Sequence, residues 1–364
     1  MANALAVVGT GLIGTSAALA ARRAGVARVI GWDADRETLA VAAGRDAVEP
    51  AHSLADALVD ADAALVAVPV VELTAVVRDV LAAASAACAV TDVGSTKGGV
   101  CATAGADPRF VGGHPICGAE TSGPARATGE LFDGATWFRT PLSRTSPDCY
   151  REVHALVTSL GARPVAIDPA AHDRLVAITS HLPHALANLL VNQAGDSRVE
   201  GHEPLAAAGG SLRDMTRIAG ANPRIWVDIL LDNRDELAAA LAEHRRRVTQ
   251  VEAALASGDA GFLARWIGEA AGNRRRLLAT AYEDPGALHR VRVHVPDRPG
   301  VLAGIFQALG AERINVADFE LDHRSHERGG TLTILVSGEA DAQRAADLLD
   351  AQGYGAVVAP VMEQ

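Results

Sequence analysis

The sequence is short of lysine, of paired cysteines and of long apolar runs, and each shortage removes a class of function. Lys97 is the only lysine in 364 residues, every other basic side chain is arginine, and 44 acidic against 33 basic residues leave a net charge of −11. A general nucleic-acid binder needs a basic surface to displace counterions from phosphates, so that partner is excluded. The four cysteines, Cys88, Cys101, Cys117 and Cys149, stand far apart with no C-x-x-C pair. They indicate neither a zinc knuckle nor a disulfide framework, and a reducing cytoplasm suits them best. No segment approaches the ~20 uninterrupted apolar residues of a membrane span. The opening MANALAVVGTGLIG has no basic stretch ahead of its apolar one, and glycines 9, 11 and 14 interrupt it, so it does not read as a signal peptide.

What is present is the material of a soluble globular protein, 49% apolar and 21% charged, long enough for two or three domains. Up to about residue 168, β-rich runs (4–8, 28–32, 64–68, 88–93 and 163–167) alternate with alanine-rich helical stretches. Such alternation predicts an α/β fold, a doubly wound parallel sheet of Rossmann type, over 1–168. Strand signals then nearly vanish, and 172–194 and 223–256 carry helical spacing of Leu, Ile, Val and Ala, which predicts an all-helical domain over 169–285. Beyond Glu283-Asp284-Pro285-Gly286, residues 286–364 read as β-α-β-β-α-β, the ferredoxin-like order. Val291, Val293 and Val295 alternate there with polar residues, as in a half-buried strand.

Gly9-Thr10-Gly11-Leu12-Ile13-Gly14 follows the strand ALAVV and opens a helix. The first glycine permits the turn, the second lets backbone approach a pyrophosphate, and the third lets helix and strand pack closely. Asp33, 19 residues after Gly14 at the end of RVIGW, is placed to accept hydrogen bonds from a ribose. Its carboxylate would repel a 2′-phosphate, which favours NAD, while Arg36 nearby keeps NADP open as a phosphate partner.

Two further segments, Gly94-Ser95-Thr96-Lys97-Gly98 and His114-Pro115-Ile116-Cys117-Gly118-Ala119-Glu120, follow strand-like runs and can face the same crevice. A histidine there is suited to take a proton, although by spacing alone His114 is equally a surface-loop histidine. His181 and His184 share a helix face with no third ligand beside them, so no metal site is read. Arg213 and Arg217, at i and i+4 around Asp214, suit a substrate carboxylate, or else an ordinary surface ion pair.

Taken in order, GTGLIG, TDVGSTKG, HPICGAETSG, HLPHALA and LRDMTRIAGANPRIW resemble the prephenate/arogenate dehydrogenase family of tyrosine biosynthesis over most of the chain. The resemblance implies NAD(P)-dependent oxidative decarboxylation of a 4-hydroxycyclohexadiene carboxylate by a homodimer with an intertwined helical domain. By motif, His114 is implied as the catalytic base on the substrate 4-hydroxyl, with Ser95 sharing that hydroxyl. Arg217 is implied to hold a substrate carboxylate and His184 to sit at the substrate side chain. Asp214 and Glu120 would position Arg217 and control access, Trp226 would line the pocket, and Lys97 is a weaker candidate near the cofactor. Two departures, Cys117 where alanine is common and Leu212 where an aromatic is common, touch pocket volume and not proton transfer. The tail VPDRPGVLAGIFQALGAERINVADFEL resembles an ACT domain, which implies an amino-acid effector, expected to be tyrosine, at Asp297, Gly300 and Asn315.

Prephenate is the expected substrate and arogenate the alternative. A β-hydroxyacid dehydrogenase would need a catalytic lysine in the helical domain, and none stands there. A regulator that senses NAD and amino acids would not require His114, Ser95 and Arg217 together.

Overall fold

The computed structural model describes residues 3–117, 122–279, 287–325 and 329–361, in two compact units, Met1–Arg245 and Arg246–Gln364. In the first, β1 (Ala4–Val8) is buried along all five residues. Its unbroken apolar run is what a strand covered on both faces requires. In order then come α1 (Leu12–Arg23), β2 (Arg28–Trp32), α2 (Arg36–Gly44), β3 (Glu49–Pro50), α3 (Leu54–Leu58), β4 (Ala63–Val66), α4 (Val70–Ala83) and β5 (Ala89–Asp92). α5 (Gly98–Ala104), β6 (Phe110–Pro115), β7 (Thr136–Thr140), α6 (Pro147–Ser159) and β8 (Arg163–Ala166) complete the sheet region.

The eight strands lie in the order β3-β2-β1-β4-β5-β6-β7-β8. From β3 to β6 all neighbours are parallel, the doubly wound nucleotide-binding order. β7 breaks the pattern, running antiparallel to β6 and parallel to β8, so the expected parallel sheet is mixed at one end. The period of two divides β1 between two cores. Leu5 and Val7 pack with Ala17 and Ala21 of α1 and Val153 and Leu156 of α6, whereas Ala6 and Val8 pack with Leu73, Val77 and Val80 of α4.

Two strands, β3 and β7, lie outside the sequence expectation, and β6 runs on from FVGG through His114 and Pro115, which read as loop. The glycines of FVGGHP are needed within the strand. A Cβ on Gly112 would lie 2.3 Å from the Thr140 hydroxyl, and one on Gly113 2.3 Å from the Asp92 carbonyl. Close approach between neighbouring strands, not a turn, is what they serve.

After the sheet, α7 (Pro169–Val176) leads through one π-helical turn, Ala177–His181, into α8 (Leu182–Asp196), followed by α9 (Gly210–Thr216), α10 (Pro223–Asp232) and α11 (Arg234–Ser257). Asp168 and Asn222 cap α7 and α10, each followed by proline at the first helical position, where the missing N–H costs nothing. Among the described residues no helix is long and apolar enough to cross a membrane.

The second unit carries α12 (Ala260–Leu278), capped by Asp259, and then β9 (Leu288–Val295), α13 (Val301–Ala311), β10 (Val316–Ser325), β11 (Gly329–Ser337), α14 (Glu339–Ala351) and β12 (Ala356–Pro360). Its antiparallel sheet has the order β10-β11-β9-β12, the ferredoxin-like arrangement. Val291, Val293 and Val295 turn inward onto Ile305, Leu309 and Leu349 of the two helices.

One ion pair lies wholly inside the first unit. Asp92, at the end of β5, accepts from the Gly94 N–H (2.8 Å), the Gly113 N–H (3.0 Å) and the Lys97 ammonium, which also donates to the Gly113 carbonyl at 2.7 Å. Both side chains are 0% exposed. Removing one partner would leave a buried charge uncompensated, so Lys97→Met is expected to lower stability by about 3–5 kcal/mol, read by denaturant unfolding. A loss below about 1 kcal/mol would show that the pair does not brace the sheet.

Candidate active site

The glycine loop forms a cradle at the end of β1. Gly9 adopts φ +93° and donates to the Trp32 carbonyl at 2.8 Å. A Cβ on Gly14 would lie 1.9 Å from the Gly9 carbonyl oxygen, so glycine is required there for packing; at Gly11 a Cβ would meet nothing within 4 Å. Backbone at Gly11, where α1 begins, is thus open to an approaching anion. Leu12 and Ile13, in the first turn, are half-buried. Asp33 is tied to this loop: one carboxylate oxygen accepts from the Thr10 N–H (2.6 Å) and hydroxyl (3.1 Å), the other from the Asp35 N–H (2.8 Å). Arg36 turns away, donating to the carbonyls of Ala51 (3.2 Å) and His52 (2.6 Å).

His114 lies on β6 itself rather than in a loop. Its Nδ1 is 2.9 Å from His172 Nε2, and His172 Nδ1 is 2.8 Å from an Asp173 carboxylate oxygen. The carboxylate can only accept, so His172 carries its proton on Nδ1 and presents Nε2 as an acceptor. His114 therefore donates from Nδ1, which leaves its Nε2 lone pair bare. Asp173 is held in turn by the N–H groups of Lys97 (2.8 Å) and Gly98 (2.7 Å), where α5 begins. Burial alone would raise the Asp173 pKa, but the hydrogen bonds from His172, Lys97 and Gly98 outweigh it and hold the carboxyl below its usual value. Burial, reinforced by His172, Lys97 and His181, keeps the His114 pKa well below 6.5.

Ser95 stands in the turn after β5, its hydroxyl buried with no hydrogen-bond partner among the described residues. A hydroxyl so placed is suited to a ligand. Lys97 is not: its ammonium is sealed against Asp92, so it braces the loop from behind.

In the helical region, His184 stacks on Trp226 with ring centroids 3.5 Å apart, and His181 meets the edge of the same indole at 6.2 Å. Burial lowers the His184 pKa, with a backbone hydrogen bond at Ile218 opposing. Burial likewise pushes His181 down to about 4, Asp173 opposing and His172 and His184 adding to the effect. Asn233 links the groups, its Nδ2 lying 2.9 Å from the Asp173 carbonyl and 3.1 Å from His181 Nδ1. Arg217 closes α9 as an exposed residue, its N–H 3.5 Å from the Asp214 carbonyl. The segment after it packs on α8, where Gly220 N–H donates to Asn188 at 3.3 Å. Glu120 lies outside the described residues.

His114, His184 and Trp226 are thus joined through residues that the sequence did not single out, His172, Asp173 and Asn233, and Ser95 stands in the turn whose Lys97 N–H holds Asp173. His172 and Asp173 are 58 and 59 positions from His114 and sit in an ordinary amphipathic helix, so only the fold reveals them. In the second unit, Asp297 and Asn315 are exposed, and Gly300 holds φ +89° at the start of α13.

Comparison with known proteins gives three family matches: the prephenate dehydrogenase nucleotide-binding domain over 17–166, the prephenate dehydrogenase dimerization domain over 168–269, and the ACT domain over 289–353. Prephenate dehydrogenase of Bacillus subtilis (strain 168) is 32% identical over 97% of this chain and 97% of its own length. Among solved structures, Aquifex aeolicus prephenate dehydrogenase in complex with hydroxyphenyl propionate and NAD+ superposes with a TM-score of 0.71 at 27% identity, covering 75% of this chain and 98% of that one. Synechocystis arogenate dehydrogenase gives 0.69 at 27% identity, covering 75% and 99%.

The depressed histidines make stability depend on pH with a definite sign. Between about 6.5 and 4 the unfolded chain binds protons at His114 and His181 that the folded chain refuses, so stability falls as pH falls through that window. The melting temperature should drop across it, and His181→Leu should flatten the slope. A slope unchanged in that variant would mean that His181 protonates without cost in the folded chain.

Proposed function

Since the chain belongs to the prephenate dehydrogenase family of oxidoreductases, we propose that it catalyses the NAD-dependent oxidative decarboxylation of prephenate to 4-hydroxyphenylpyruvate in tyrosine biosynthesis. The observation that carries this reading is the Asp173–His172–His114 chain, which leaves a neutral imidazole with a free Nε2 lone pair. A base of that kind takes the proton of the substrate 4-hydroxyl as the carbinol carbon is oxidised. NAD, when bound, supplies the hydride acceptor. Electrons released by loss of the ring carboxylate as CO2 flow into the ring, and aromatisation drives the step.

The cofactor side is supported by the open backbone at Gly11, the close packing at Gly9 and Gly14 and the flanking Leu12 and Ile13. Asp33 faces the ribose in this reading. Arg36, whose guanidinium is engaged by two backbone carbonyls, is withdrawn from a 2′-phosphate, which favours NAD over NADP.

On the substrate side Arg217 holds a carboxylate, Asp214 and Glu120 orient it, and His184 with Trp226 forms the wall at the side chain. Exposed apolar residues on the helices, among them Ile178, Leu189, Met215, Ile225 and Leu231, suit a homodimer interface. The division 1–168, 169–285 and 286–364 assigns cofactor binding, dimerisation and regulation in turn. Asp297, Gly300 and Asn315 form the effector end, with tyrosine as the ligand of a cytoplasmic enzyme.

Initial rates of NAD reduction with prephenate and with arogenate, each repeated with tyrosine, test this directly. Prephenate turnover is expected, and turnover with arogenate alone would reassign the substrate. His114→Asn should lower kcat by about 100-fold or more while NAD binding persists. Arg217→Ala should chiefly raise KM, and a pure kcat defect would contradict its binding role. Because neutral His114 is the active form, the rate should hold across neutral pH and fall only well below 6.5. Asp33→Ser should shift the NADP/NAD ratio of kcat/KM upward by roughly tenfold, about 1.4 kcal/mol.

A further inference from the structure

Asn233 is buried, 4% exposed, at the junction of α10 and α11. Its carboxamide has one orientation that chemistry allows. The Asp173 carbonyl, 2.9 Å away, can only accept, so the atom facing it must be the amide nitrogen and not the oxygen. That nitrogen is the atom 3.1 Å from His181 Nδ1, and its second hydrogen points there. A nitrogen that accepts carries no proton, so neutral His181 must hold its hydrogen on Nε2.

We propose that Asn233 is a positioning residue that locks His181 as the uncharged Nε2–H tautomer, so that the proton released by the substrate finds His114 with no cation on that neighbouring ring. The inference rests on the proposed dehydrogenase chemistry. His181 is faced by Asp173 and His172 from α7, His184 from α8 and Trp226 and Asn233 from the α10 side, and its charge bears on His114, as do those of His172 and Lys97. Of the side-chain hydrogen-bonding groups near His181, Asn233 alone reaches its Nδ1 within hydrogen-bond distance among the described residues. The same carboxamide fixes the backbone of Asp173, whose side chain orients His172. One amide therefore sets both the tautomer of one buried ring and the backbone from which the relay acid projects.

Asn233→Asp keeps the shape but exchanges a donor for an acceptor, and it should place a proton on His181 Nδ1. Asn233→Leu removes the donor and adds no charge. On full-length protein with NAD bound and 15N-labelled histidine, the wild-type His181 resonances, assigned with a His181→Leu sample, should show Nε2 protonated and Nδ1 bare from pH 5 to 9. In Asn233→Asp both nitrogens should be protonated at pH 7. There kcat/KM should fall at least tenfold and recover as pH rises through a new ionisation, which neither wild type nor Asn233→Leu displays. An Nδ1–H tautomer in wild type, or equal losses in both variants with identical pH profiles, would overturn the proposal. A wild type without dehydrogenase activity would instead defeat the functional reading, while the tautomer measurement would still decide the lock.

Discussion

Everything at the proposed catalytic centre depends on where the Asp173 carboxylate is held. It takes hydrogen bonds from His172 and from two successive backbone N–H groups at the start of α5, so it joins the sheet region to the helical region through its own oxygens. Hydrogen bonds to a carboxylate are roughly twice as strong as neutral ones, and burial makes them costlier to break. The direction of every proton along the relay follows from this acid. Because Asp173 stays ionised, His172 has one tautomer, and because His172 has one tautomer, so does His114.

A second constraint acts behind the first. β5 and β6 are drawn together at Gly113, whose N–H and carbonyl both end on the Asp92–Lys97 pair. His114 is the next residue, so the buried ion pair fixes the backbone from which the imidazole projects. Lys97 belongs to the same turn whose N–H holds Asp173. Two acids, one at the end of a strand and one in a helix, therefore hold the Gly94–Gly98 segment at its two ends, and Ser95 lies within the held stretch.

Much of this architecture was legible because burial on both faces leaves a continuous apolar signature. β1 and β2 were read to the residue, and the ferredoxin-like order of the tail emerged from the alternation in β9 and the helical run of α14. β6 was legible only up to its glycines, which answer a contact with Asp92 and Thr140 that no local pattern encodes, and not in its extension through His114. His114, Ser95, His184 and Trp226 stood out through their motifs. His172, Asp173 and Asn233 carry no such mark: a histidine and an acid inside α7 look like solvent-facing residues, and an asparagine after α10 looks like a helix stop. Their partners are tens of residues away, and the π-helical turn that brings His181 round to Asn233 has no signal of its own.

The lone lysine has a further meaning. With its single ε-amino group sealed against Asp92, the native fold presents no lysine side chain to acylating reagents, to aldehydes or to a lysine-specific protease. Modification at Lys97 would occur only when the β5–β6 junction parts, so the rate of amine labelling at that one residue is a built-in clock for the opening of this region of the sheet.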